Sequence, residues 1–106
     1  MELVTEIYKF TSTFPREEAF GLTSQMRRSV ISIPSNIAEG YTRKHKQEYI
    51  QFLRIAFGSG AELETQIIIA KNLQFLEKNN AQKAESLLEE IMKMLNKLIS
   101  SLVAKP

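Results

Sequence analysis

The chain has 106 residues, 43% hydrophobic and 25% charged, which suits one folded domain over 1–106 and excludes a disordered chain. With no Cys and a single His, it excludes disulfides, thiolate chemistry, Cys-built zinc sites and any multi-histidine metal site within one subunit. The net charge of +2 is unevenly spread: residues 1–47 carry seven basic and five acidic side chains, and residues 48–106 carry seven of each.

All 12 acidic residues are Glu, a stronger helix former than Asp, and only four Gly and three Pro supply turns, so the composition leans to helix. The first predicted helix runs from Glu2 to Thr13, with Leu3, Ile7, Phe10 and Phe14 on one stripe and Pro15 ending it. The link Pro15–Gly21 is short and charged, and Phe20 is expected to pack back as a plug. The second helix starts at Leu22 or Thr23 and carries the stripe Leu22, Met26, Val30, Ile33 and Ile37. Pro34 lies inside it, which predicts a kink or a short break, with Ser32 and Ser35 available to satisfy freed backbone groups. Gly40 is expected to close this helix as the residue past its C-cap, in the left-handed conformation.

Arg43, Lys44 and Lys46 surround His45 in the next connection, a cluster that reads either as a phosphate attractor or as a solvated loop. The third helix, Lys46 to Asn72, places Tyr49, Leu53, Ala56, Gly60, Leu63, Ile67 and Ala70 on a four–three packing seam. A second line, Ile50, Phe57, Ala61 and Ile68, together with Phe52, Ile55 and Ile69, gives more apolar surface than three partner helices cover. After a link near Glu77–Asn80, the fourth helix spans Ala81 to Val103 on the stripe Leu88, Ile91, Leu95, Leu98 and Leu102. Short connections favour antiparallel neighbours, so the predicted architecture is an all-α, antiparallel up-and-down four-helix bundle.

Catalytic chemistry finds no foothold. Glu62 and Glu64 lie two apart on a helix and point about 200° apart, so they form no acid/base dyad. Antiparallel packing puts them near the level of Arg27 and Arg28, which predicts structural ion pairs, with an anion site on the arginines as the alternative. Glu39 before Gly40 sets a negative charge at a helix end, against the macrodipole, and calls for a basic partner such as Arg43 or Lys46. His45 has no nucleophile beside it and reads as a solvated loop residue. Gly58 and Gly60, with Ser59 and Ala61, form a small-residue patch suited to close helix approach within the bundle or between subunits; no Gly-Lys-Ser/Thr makes it a phosphate loop. No cofactor or metal is expected. No apolar run reaches the ~18–20 residues that span a bilayer, and Met1–Phe10 lacks a secretion signal, so no membrane partner and a cytoplasmic location are expected.

The stretch Gly21-Leu22-Thr23-Ser24-Gln25-Met26-Arg27-Arg28, followed by Ser32-Ile33-Pro34-Ser35-Asn36-Ile37-Ala38-Glu39-Gly40, resembles the signature of the four-helix-bundle 23S ribosomal RNA intervening-sequence proteins. A second match follows in Glu48-Tyr49-Ile50-Gln51-Phe52-Leu53-Arg54-Ile55-Ala56, Gly58-Ser59 and Ala61-Glu62-Leu63-Glu64-Thr65-Gln66. The resemblance implies the same fold and marks Pro34, Asn36, Glu39 and Gly40 as a helix-end motif. Members are similar to the accessory protein of diversity-generating retroelements, a basic pentameric barrel of bundles that binds nucleic acid and a reverse transcriptase. For this chain the resemblance therefore implies a non-enzymatic homo-oligomer, pentameric, with RNA or DNA as partner and Arg43, Lys44, Lys46 and Arg54 as phosphate contacts. A protein–protein adaptor, for a reverse transcriptase or another protein, is the rival. Members also carry extra residues before the segment matching Glu2–Phe14, which implies a shortened first helix here, and often Ser where this chain has His45, which weakens the cap of the third helix.

Overall fold

A computed structural model describes residues 1–105. Four helices form in chain order: α1 Glu2–Thr11, α2 Leu22–Tyr41, α3 Lys46–Asn72 and α4 Lys78–Ala104. A single 3-10 turn, Arg16–Glu18, lies between the first two, and no strand occurs among the described residues. Each helix packs on the next and α4 returns to α1, so the pairs α1/α3 and α2/α4 sit on the diagonals. Ser32 meets Ser59 across α2/α3, Lys71 meets Glu85 across α3/α4, and Lys83 meets Glu2 and Glu6 across α4/α1. Gly40 also faces Phe52, Gly60 faces Met92, and Asn80 lies by Thr13 while Ile91 lies by Met1. Numbers thus rise on one helix of each of these pairs as they fall on the other, and the bundle is antiparallel and up-and-down.

The apolar stripes form the core. Leu3, Ile7, Phe10 and Phe14 are buried, as are Leu22, Met26, Val30 and Ile33 and, on α3, Leu53, Ala56, Leu63, Ile67 and Ala70. On α4 only Leu88 and Leu95 of the expected stripe are buried, while Ile91, Leu98 and Leu102 are half-buried. The reason is length. At ~1.5 Å per residue α1 covers ~15 Å, whereas the bundle is 49 Å long. Among the described residues, no fourth helix covers the α2/α4 seam past Met1.

Local chemistry moves several boundaries from their sequence-based positions. α1 stops at Thr11, not Thr13, because the hydroxyls of Thr11, Ser12 and Thr13 donate back to the carbonyls of Ile7, Lys9 and Phe10 at 2.6–2.7 Å and compete with the helix. α4 starts one turn early, at Lys78. α2 runs through Pro34 without the expected break. Asn36 Nδ2 ties the turn around the proline by donating to the carbonyl and the hydroxyl of Ser32, both at 2.8 Å, while Ser35 faces solvent.

Gly40 is not the left-handed residue past the C-cap. It lies inside α2, and no glycine has positive φ. A Cβ there would come 2.7 Å from Phe52 Cβ and 3.0 Å from Tyr49 Cδ1, so the missing side chain lets α2 and α3 approach. The left-handed position falls instead on Gln74, φ 62°, after α3. There Phe75 N–H donates to Ala70 O and Gln74 N–H to Lys71 O, both at 3.0 Å, the bonding pattern of a Schellman cap. The expectation that Phe20 plugs the core also fails: the ring is 98% exposed, since the 3-10 turn carries it outward.

Candidate nucleic-acid interface

At the end of the bundle beyond α1, the start of α3 lies beside the end of α4. Their side chains enclose a groove of about 490 Å³ whose cationic lining is Lys46, Arg54 and Lys105, with Glu48 the single acidic residue in it. Lys46 Nζ donates to the carbonyl of Lys105 and so fastens the two helix ends together. Arg54 is exposed and has no ion-pair partner among the described residues. Two of the four expected phosphate contacts thus share one groove.

The other two stand differently. Arg43 pairs with Glu39 one turn back and lies over the Phe52 ring, 4.8 Å from its centroid. Glu39 thereby gains a basic partner at the helix end, and Arg43 gives up part of its free charge. Lys44 is exposed on the loop and makes no ion pair among the described residues. Sequence reasoning missed Lys105. Antiparallel order sets the end of α4 beside the start of α3, and that was the available signal.

The ion pairs expected between Arg27 or Arg28 and Glu62 or Glu64 do not form among the described residues. The Ser32–Ser59 and Gly40–Phe52 contacts set Arg27 and Arg28 near the height of Glu64, so the level agrees and the side does not. Arg27 is on the flank of α2 that faces α1, where its Nε donates to Thr11 Oγ1 at 2.9 Å and its guanidinium lies 4.6 Å from the Tyr8 ring centroid. Arg28, Glu62 and Glu64 all face solvent.

The residues of the helix-end motif build the α2–α3 seam. Asn36 holds Ser32, Ser32 accepts from Ser59 Oγ at 2.7 Å, Gly40 admits Phe52, and Pro34 lines an apolar surface on the α4 side. The small-residue patch divides. A Cβ on Gly60 would overlap Met92 Sδ, so Gly60 serves packing within the bundle, whereas a Cβ on Gly58 would meet nothing within 4 Å. Among the described residues no group of three or more His, Cys, Asp or Glu side chains could hold a metal ion, and no helix is long and apolar enough to cross a membrane.

Helices alone, antiparallel order and a basic groove at one end define a small four-helix-bundle protein with a charged surface site. The model of the family described as 23S rRNA-intervening sequence protein matches residues 1–97, and the chain belongs to that family. The chain is similar in structure to a protein of unknown function from the S23 ribosomal protein family of Bacteroides thetaiotaomicron VPI-5482. The TM-score is 0.85 at 23% sequence identity, covering 93% of this chain and 89% of the other, a likeness of fold. No curated protein matches the sequence.

Proposed function

We propose that the chain is a non-enzymatic, cytoplasmic homo-oligomer, pentameric in assembly, that binds RNA or DNA through phosphate contacts at the end of the bundle beyond α1. The observation that carries this reading is the convergence of Lys46, Arg54 and Lys105 on one groove, with Lys44 exposed on the adjoining loop. Backbone phosphates need point charges on a surface wide enough to track a strand, not an enclosed pocket. Arg43, engaged by Glu39, contributes less. Self-association is supported by the exposed apolar residues of α3, Ile55, Ile68 and Ile69.

Fluorescence anisotropy with labelled RNA and with a labelled DNA duplex, titrated at rising KCl, tests the proposal. On duplex DNA the log–log salt slope is about −0.9 per phosphate neutralised. The double substitution Lys46→Glu and Arg54→Glu weakens binding to every sequence alike and makes that slope shallower by about two. No binding at low salt, or an affinity that salt leaves untouched, sinks the reading.

Phe20 favours a second reading, an adaptor for a protein partner such as a reverse transcriptase, because a ring 98% exposed beside a helix start is a natural anchor. A partner that co-purifies after nuclease treatment and is lost with Phe20→Ser would select it.

A further inference from the structure

Arg43 stands apart from the other cations of the basic end. Lys44 and Arg54 are exposed and without ion pairs among the described residues, as a phosphate contact requires. Arg43 is held at two points instead, by the Glu39 carboxylate at 2.5 Å and by the Phe52 ring, whose centroid is 4.8 Å from the guanidinium carbon. The ring is fixed in turn, because Phe52 Cβ sits against Gly40 of α2. Even so, the Arg43 side chain keeps 39% exposure. Fastening helices does not account for the stack. Arg27, over the Tyr8 ring, ties α1 to α2, but Arg43 lies in the connection Thr42–His45 between two helices already joined at Ser32–Ser59 and Gly40–Phe52.

The surroundings of the stack supply a use for it. Gln47, Gln51 and Arg54 are exposed, line the basic groove, and follow four- and three-residue steps along one side of α3. Phe52 flanks that line on the α2 side, and Lys46, bonded to the carbonyl of Lys105, flanks it on the α4 side. The first turns of α3 thus present a fixed guanidinium, two amides and a set of cations side by side. Glu39 and Arg43 are neutral as a pair, which makes a poor phosphate site and a good seat for a neutral base. A guanidinium is planar and weakly hydrated, so it stacks on a base as it does on a ring. Holding it beforehand removes the entropy that a free arginine loses on stacking. Only an unpaired base offers both a free face and a free edge.

We infer that the strand bound at this end is single-stranded, RNA or DNA, and that Arg43 is a stacking platform for one unpaired base. The inference rests on the proposed nucleic-acid binding and deepens it. Lys44, Lys46, Arg54 and Lys105 take the backbone phosphates, Gln47 and Gln51 meet the edge of the base, and Glu39 positions the guanidinium.

Fluorescence anisotropy on the full chain tests this with labelled probes of equal phosphate count: single-stranded RNA, single-stranded DNA, the same DNA strand with abasic sites, and a hairpin duplex. The wild type binds the intact single strands about fivefold more tightly than the abasic one. Arg43→Lys keeps the charge and removes the plane. It loses that preference, leaves the abasic strand and the duplex unchanged, and keeps the log–log salt slope. Glu39→Gln frees the guanidinium as a charge, so abasic and duplex binding tighten while the preference for intact strands falls. A merely structural role for Arg43 would weaken all four probes alike. Equal wild-type affinity for intact and abasic strands, or an Arg43→Lys loss shared by the duplex, overturns the inference while phosphate binding stands. No binding to any probe at low salt overturns both.

Discussion

The two ends of this bundle differ in what holds them. At the end that contains α1, four helices enclose Leu3, Ile7 and Phe10, and the rings of Phe14 and Phe75 meet at 5.6 Å. Polar groups there are engaged as well: Lys83 bridges Glu2 and Glu6, and Arg27 clasps Thr11 and Tyr8. Beyond Met1 three helices share the work. Leu98 and Leu102 are half-buried, Tyr41, Met94 and Val103 are exposed, and Lys44 and Arg54 stand without ion pairs among the described residues. Among the described residues the molecule thus has one end closed by four helices and one closed by three, and the second carries the more exposed apolar and unpaired basic side chains.

The largest effect expected from that contrast is in the core. Leu88, 2% exposed, is part of the buried core and packs on α3 beside Gly60, so Leu88→Ala should cost about 3–4 kcal/mol through lost burial and a residual cavity. Leu98, ten residues on and half-buried, should cost only about 1 kcal/mol as Leu98→Ala, since its site is already wet. Urea unfolding followed by circular dichroism measures both. Equal losses would mean that the end beyond α1 is as tightly packed as the other.

Most of the fold was legible because burial follows helical period: the stripes of α1 and α2 and the long seam of α3 are the core, apart from the half-buried Ile37 and Tyr49. What period does not fix is the flank to which a polar residue beside a stripe turns, and Arg27 went to α1 for that reason. Nor does composition separate a glycine that ends a helix from one that admits a neighbour, since both roles need the missing Cβ. Gly40 is of the second kind, and substitution can show it. Gly40→Ala should lose about 1–2 kcal/mol, the overpacking against Phe52 and Tyr49 outweighing the helix propensity gained. Gly40→Asn should lose more, because the larger side chain meets the same wall. At a left-handed helix end the order would reverse, since Asn adopts that conformation more readily than Ala. The basic groove was legible only in part, as Lys105 enters it through topology and not through any local motif.

The smallest effect belongs to the end beyond α1. His45 is the N-cap of α3, with extended backbone (φ −104°, ψ 134°) and no side-chain hydrogen bond to the helix. Glu48 already occupies the third helical position, so His45→Ser completes a capping box: the serine Oγ accepts from Glu48 N–H, and the Glu48 carboxylate accepts from the N–H of residue 45. The gain should be about 0.5–1 kcal/mol. Where that gain appears is more telling than its size. If the end beyond α1 opens locally ahead of global unfolding, hydrogen exchange will slow at the backbone amides of Gln47–Ile50 and stay unchanged around Leu3 and Ile7. Slowing at both sites in equal measure would show that the bundle opens as one unit, and the division between its two ends would then be one of surface alone.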